Sequence, residues 1–304
     1  MGAIRTVALA GGSGRLGPDI LDQLLQHNFD VTVLTRHDSA ATFPASAKVK
    51  SVDYSSKESL ISALQGQDAV VSVIATPALD KQFPLIDAAV EAGVRRFIPP
   101  EYGSDTTNPK TVTLRLFRHK IAAQKMLAKY AASSTSGFTY TTVITGPLLE
   151  WVLTEGFMNA KEKRAQLYDG GDRVFSTTTL PTVGKAVCSV LAHLAETENC
   201  EVKVHDTSTK LNKLLAMAQR VVGEDGWTIS KPLVEQLLSD TWDGIKKGNF
   251  NWPTLSGFVV TASVGEGYGG TFESADNKLL GIPEMTEAEL QAAVDHITKY
   301  CNGL

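Results

Sequence analysis

Residues Gly11-Gly12-Ser13-Gly14-Arg15-Leu16-Gly17 constrain the fold of this chain more than any other stretch. They follow a short apolar run, Thr6-Val7-Ala8-Leu9-Ala10, that reads as a buried strand. They lead into Ile20, Leu21, Leu24 and Leu25, spaced as one face of a helix. Strand, glycine turn and helix in that order are the setting in which a G-x-G-x-x-G pattern holds a dinucleotide. Gly12 permits the tight turn, Gly14 lets the backbone approach a pyrophosphate, and Gly17 lets the helix pack closely on the strand. The free N–H groups and positive dipole end of the helix then face the phosphates. The plainer alternative is an ordinary glycine-rich turn, against which the flanking strand and helix argue.

The rest of the first half alternates between two periodicities. Val31 to Leu34 and Val49 to Val52 read as strands, and Leu60, Ile61 and Leu64 mark a helix. Ala69 to Ile74 is nearly continuous apolar sequence, as expected of a central parallel strand covered on both faces. A helix from Phe83 to Ala92 ends at Gly93, a C-cap; Phe97-Ile98 is a short strand, Leu114 to Ala132 a long helix, and Phe138 to Ile144 a sixth strand. This alternation implies an α/β fold, a Rossmann-type doubly wound parallel sheet with right-handed crossovers, over residues 1–146. Its ligands then sit at the carboxyl ends of the strands, just after Ala10, Leu34, Ile74, Ile98 and Ile144.

Residues 147–304 read differently, as a smaller substrate-binding lobe with some elements packing back on the sheet. Val183 to Leu194, Leu211 to Val222 and Glu287 to Tyr300 look helical, the last with Thr286 and Glu289 placed for a capping box. Aromatic and glycine-rich loops around Trp227, Trp242, Trp252 and Gly265 to Gly270 lie between them. The segment is not read as a second autonomous sheet domain but as a lobe that closes a cleft. Trp242 and Trp252 are core anchors or pocket walls, with the core favoured.

With 304 residues and 43% hydrophobic content, the chain can bury a full core. A net charge of −4 argues against nucleic acid as a partner. Arg95-Arg96 and Lys246-Lys247 are isolated doublets that read as solvated surface. No stretch has the pattern of a signal peptide or the length of a bilayer span, so no membrane role is expected. Cys188, Cys200 and Cys301 have neither a metal-ligand spacing nor a disulfide framework, which predicts no metal and a cytoplasmic setting.

Charge bears on the cofactor. The place after the second strand, where a carboxylate would select NAD, reads Thr35-Arg36-His37. Arg36 can fork onto a 2′-phosphate, and Arg15 can approach the same group, unless both are simply solvated. NADPH/NADP+ is therefore expected rather than NAD. Asp53 either meets the adenine amino group or serves its own loop. Ala75 and Thr76, after the fourth strand, are expected beside the nicotinamide ribose.

Gly11 to Gly17, then Phe97-Ile98-Pro99-Pro100-Glu101-Tyr102-Gly103, then Lys120 on the long helix and Phe138 to Thr141 on the sixth strand occur in that order. This arrangement resembles the NmrA-like and isoflavone-reductase-like family of atypical short-chain dehydrogenases. Many members are similar to phenylcoumaran benzylic ether and pinoresinol–lariciresinol reductases, which use NADPH. The family's loop usually reads Phe-Ile-Pro-Ser-Glu-Phe-Gly, so Pro100 and Tyr102 are departures. The resemblance implies that Lys120 is the catalytic lysine, that Pro99 lies beside the nicotinamide, and that an aromatic or polyketide-like substrate sits between the nicotinamide and the second lobe. It also implies a pocket wall after the sixth strand, drawn from Trp151, Phe157 and Met158, with Leu153 in the core.

No lysine has a tyrosine four positions earlier, since Leu116 stands before Lys120, so the Tyr-x-x-x-Lys pair of ordinary short-chain dehydrogenases is absent. Leu114, Phe117, Ile121 and Leu127 turn one face of the long helix to the core and leave Lys120 at its edge. There it either transfers a proton with a lowered pKa, bonds the nicotinamide ribose, or snorkels at the surface. His119 points away from it. Glu101, Tyr102 and Gly103 are candidates for orienting substrate. The expected activity is hydride transfer from NADPH to a ketone, quinone-type or benzylic ether carbon, by a monomer or homodimer. The other reading is a non-catalytic NADP-binding redox sensor acting through a protein partner.

Overall fold

The computed structural model describes residues 2–133 and 137–300, so Cys301 lies outside the described residues. In chain order the first half runs β1 (Thr6–Ala10), α1 (Gly17–Gln26), β2 (Asp30–Arg36), β3 (Lys48–Val52), α2 (Lys57–Leu64), β4 (Ala69–Ser72), α3 (Gln82–Glu91), β5 (Arg96–Ile98), α4 (Arg118–Ser133) and β6 (Thr139–Ile144). The second half begins with a single turn, α5 (Leu149–Trp151), and continues with β7 (Met158–Asn159), β8 (Arg164–Gln166), β9 (Val174–Thr177), α6 (Leu180–Ala192), β10 (Cys200–Lys203), β11 (Thr207–Lys210), α7 (Leu211–Val222), β12 (Thr228–Ser230), α8 (Val234–Lys246), α9 (Trp252–Val264) and α10 (Glu287–Tyr300).

Seven strands form one parallel sheet in the order β10-β6-β5-β4-β1-β2-β3. β1 shows why its centre forms. Val7 and Leu9 pack into the core on one face, Ala8 and Ala10 into the core on the other, as the two-residue period of a strand requires. Ile20 and Leu24 of α1 and Val183 and Val187 of α6 cover the first face; Leu60 of α2, Ile86 of α3 and Leu127 of α4 cover the second. The sheet is thus doubly wound, with the order reversing between β1 and β4, which opens a crevice at their carboxyl ends.

Several expectations are corrected. The fourth strand stops at Ser72 rather than Ile74. The long helix starts at Arg118, because Leu114 has extended backbone (ψ 125°) and Arg115–Phe117 forms a separate 3-10 turn. That break lets Leu114 and Phe117 pack against Ile245 of α8 and Phe258 of α9. The seventh strand, β10, has no apolar run to betray it: Cys-Glu-Val-Lys is an edge strand with only Val202 fully buried. The second half holds two small sheets, antiparallel β9–β11 and mixed β7–β8–β12, yet it also returns α6 and β10 to the large sheet.

Arg96 overturns the solvated-doublet reading. It is fully buried; its guanidinium donates to the hydroxyls of Thr139 (2.9 Å), Thr141 (2.7 Å) and Thr197 (2.9 Å) and to the Leu194 carbonyl (2.6 Å). Burial lowers its pKa to about 10. A buried cation survives only when its donors are satisfied, and here they tie the segment after α6 to the sheet. Arg95 is the surface member, paired with Asp68 at 2.8 Å. At the far end of the chain the expected capping box forms: Thr286 N donates to Glu289 Oε2 at 2.8 Å and Glu289 N to Thr286 Oγ1 at 3.3 Å.

Candidate active site

The glycine turn fills the crevice after β1. Gly11 takes a left-handed φ of +91°, and a side chain there would lie 2.8 Å from the Val73 carbonyl. Gly14 N donates to Gly11 O at 2.9 Å and Gly17 N to Gly14 O at 3.1 Å, closing the turn onto the start of α1. A Cβ on Gly17 would meet Gly12 O at 2.2 Å, so this glycine is a requirement of packing. A Cβ on Gly14 would come within 3.3 Å of Gly11 O, tight but far milder than the contact at Gly17, so its bareness serves chiefly to keep the cleft floor open.

Gly11, Ser13 and Gly14 line a cavity of about 240 Å³ together with Arg36, Tyr54, Ala75 and Lys81. Arg36 stands at its edge, largely exposed, with Nε 3.6 Å from Asp38 Oδ1. A second cavity of about 200 Å³ is lined by Thr76, Tyr102, Gly103, Phe117, Lys120, Trp151 and Trp252 among others. Ala75 lines the first cavity and Thr76 the second, so the two lie side by side, one backbone step apart. The chain at this junction opens a 3-10 turn, Thr76–Lys81, which turns it from β4 into α3.

Lys120 lies in the first turn of α4, with its side chain 14% exposed. Its Nζ donates to the Glu101 carbonyl and lies 3.9 Å from Glu101 Oε2. Burial pulls the ammonium's pKa down, and the Glu101 carboxylate pushes it back up. Glu101 is itself held: Oε2 accepts from Thr106 Oγ1 at 2.9 Å, which accepts from Gln124 Nε2 at 2.9 Å. Sequence reading missed Thr106 and Gln124. Gln124 had a signal, since it stands one helical turn after Lys120 on the same face.

The other expected residues divide. Arg15 lines the second cavity rather than joining Arg36, and pairs there with Glu155 of the second half. Asp53 stays out of both linings; its Oδ1 accepts the backbone N–H and hydroxyl of Ser55 at 2.8 and 2.6 Å, bonds that lower its pKa. Tyr54 lines the first cavity in its place. Gly12, Leu16, Gly17 and Pro99 line neither cavity; the Pro99 carbonyl accepts from Glu101 N at 2.8 Å. Gly103 binds the loop to the end of β6, its carbonyl accepting from Thr145 N and Gly146 N at 3.2 and 2.9 Å.

Among the aromatics, Trp151 and the 45% exposed Trp252 belong to the second cavity, whereas Trp242 packs on Phe258 with ring centroids 4.9 Å apart. Phe157 is 1% exposed, enclosed by Trp151, Tyr168 and Phe175 in the core that also takes Leu153. Met158 lies beside it, lining a separate depression with Phe157. The family inference for these two is therefore not met by the cleft. His119 sets its ring edge-on to Phe83 at 6.1 Å and takes no part in the cavity.

Among the described residues no cluster of metal-binding side chains occurs, and no helix is long and apolar enough to cross a membrane. Cys188 and Cys200 are free thiols, and burial pushes Cys188 up to about 12.

Known proteins match this architecture. The NmrA-like family matches residues 4–237. The oxidoreductase poxI of Penicillium oxalicum is 32% identical over 94% of this chain and 92% of its own. Among solved structures, the leucoanthocyanidin reductase–NADPH complex from Vitis vinifera superposes with a TM-score of 0.74 at 16% identity, covering 96% of this chain and 99% of that one. An NADPH-dependent quinone oxidoreductase from Escherichia coli does so with a TM-score of 0.70 at 23% identity, over 95% and 99%.

Proposed function

The chain belongs to the NmrA-like family, and from that premise we propose an NADPH-dependent reductase of an aromatic or polyketide-like small molecule, acting at a ketone, quinone-type or benzylic ether carbon. The observation that carries the reading is the pair of adjacent cavities, with a bare glycine floor and Arg36 in one and Lys120 in the other. The cofactor fits this chain because Gly14 leaves the floor open where a pyrophosphate must approach main-chain N–H groups. Arg36 takes the 2′-phosphate by a charge-assisted fork. When bound, NADPH supplies the hydride.

The second cavity is walled mainly by apolar and aromatic groups with few polar ones, which suits a planar, weakly polar acceptor. Phe117, Trp151 and Trp252 orient such a ring and exclude water. Lys120 holds a proton at Nζ for the acceptor oxygen; its lowered pKa makes it a better acid near neutral pH than a solvated lysine. The Glu101 carbonyl and carboxylate fix where that proton sits. The presence of oxidoreductases, one of them quinone-reducing, among its relatives supports the same reaction class.

The test is NADPH oxidation against aromatic ketones, quinones, quinone methides and benzylic ethers, run beside Lys120→Ala. Turnover on at least one class is expected, with kcat falling about 100-fold or more in the variant, the usual scale of a lost proton donor. Tight NADPH binding without turnover on any class would replace the reductase by the non-catalytic redox sensor.

A further inference from the structure

Arg15 is a charged residue inside the glycine turn, yet the reaction above gives it no work. It pairs with Glu155 across the cleft, its side chain 29% exposed and its partner's 33%. A half-exposed ion pair of this kind contributes little to stability. Glu155 lies on a π-helical turn, Val152–Gly156, directly after Trp151 of the cavity wall. Such turns gather at functional sites.

The place of Arg15 in the turn points to its task. Consecutive residues are divided between the cavities: Gly14 lines the one that holds Arg36, and Arg15 the one that holds Lys120. Ala75 and Thr76 are divided in the same way. The boundary between the cavities is thus marked twice, once after β1 and once after β4, the two strands that flank the crevice. A dinucleotide with its 2′-phosphate at Arg36 and its nicotinamide beside Lys120 has its middle at that boundary. Its middle is the pyrophosphate, which is negatively charged. Of the four boundary residues, Arg15 is the one that carries a charge. Main-chain N–H groups offer the phosphates only dipoles, whereas a guanidinium adds a full positive charge in a planar fork that matches phosphate oxygens.

We infer that the Arg15 guanidinium binds the cofactor's pyrophosphate, and that Glu155 is the anion which holds this cation in the cleft until the pyrophosphate arrives to contest it. The inference rests on the NADPH-dependent reading of the same site and separates the work of two arginines, Arg36 at the 2′-phosphate and Arg15 at the centre of the dinucleotide. Glu155 has the same sign of charge as the pyrophosphate. It therefore lowers cofactor affinity, by competing for the guanidinium, rather than building it.

Two ligands tell the sites apart, NADP+ and 2′-AMP, which keeps the 2′-phosphate and lacks the pyrophosphate. Their affinities are measured by calorimetry for NADP+ and by ligand-observed NMR titration for 2′-AMP, on wild type, Arg15→Ala and Glu155→Gln. Arg15→Ala is expected to weaken NADP+ about tenfold or more, the scale of a lost charge-assisted contact, and to leave 2′-AMP unchanged. Unchanged 2′-AMP binding also reports that the variant is folded. Glu155→Gln is expected to bind NADP+ at least as tightly as wild type. An Arg15→Ala variant that binds NADP+ as wild type does, or loses 2′-AMP in equal measure, would overturn the inference. So would an equal loss of NADP+ affinity in Glu155→Gln, which would make the pair a structural bridge. A wild type that binds neither ligand would overturn the inference together with the cofactor reading beneath it. Arg15-dependent NADP+ binding without NADPH oxidation on any acceptor class would overturn the reductase reading and leave the Arg15 contact standing.

Discussion

Glu150 precedes Trp151 of the cavity wall and is 5% exposed. Its Oε1 accepts from Leu180 N at 3.0 Å, while Oε2 has no hydrogen-bond partner among the described residues. Burial, with smaller pushes from Asp19 and Asp206, raises its pKa from 4.5 to about 7. The folded state therefore holds this proton more tightly than the unfolded chain. Its contribution to stability is complete at low pH and is lost as the pH climbs from about 4.5 through 7. The full loss above that window is on the order of 3 kcal/mol. Glu150→Gln cannot titrate. Thermal melts should show the Tm of wild type falling relative to this variant between pH 5 and pH 8, with no such trend if the carboxyl titrates normally.

At the scale of elements, the strand–turn–helix unit assigns different work to its glycines. Gly17 is a packing requirement: a methyl there would sit 2.2 Å from Gly12 O, so Gly17→Ala should lower stability by about 1–3 kcal/mol, as overpacking does. A methyl on Gly14 would sit 3.3 Å from Gly11 O, a tight contact that a shift of a few tenths of an ångström relieves, so Gly14→Ala should cost far less stability than Gly17→Ala. Its methyl would instead obstruct the floor, and NADPH affinity should fall about tenfold or more, about 1.4 kcal/mol. Melting curves and NADPH titrations of the two variants separate these effects. Equal losses of stability in both would refute the division. The turn was legible because each of its parts is local, a strand period, a glycine spacing and a helix period. The 3-10 break before α4 was not, because it depends on Phe258 and Ile245, far along the chain.

At the scale of the molecule, the second half does not stand apart. α6 packs beside α1 on the sheet, β10 extends it, and Arg96 binds the Leu194 and Thr197 backbone or side chain from beneath. Arg15 and Glu155 add an ion pair from the glycine turn to the second half. Such interlocking predicts cooperative unfolding. All four tryptophans lie beyond residue 150, whereas far-UV circular dichroism reports every helix and strand. Urea transitions by tryptophan fluorescence and by circular dichroism should coincide; midpoints more than about 0.5 M apart would mean two independently folding units.

What the chain determined by itself is what neighbours in sequence can decide: the alternation of strand and helix, the glycine turn at the first crevice, Arg36 after the second strand, and Lys120 at the edge of a helix. What only the tertiary structure decided is which remote surface covers each side chain. It buried Arg96 beneath three threonines, enclosed Phe157 while leaving Trp252 on the cleft, and turned Arg15 toward Glu155. It also brought a tyrosine into the lysine's cavity from the loop after β5, although no tyrosine precedes Lys120 at the helical spacing. Periodicity predicts the face a residue lies on. Whether that face meets solvent, a second core or a ligand depends on chain folded back from a hundred residues away, and no local pattern encodes it.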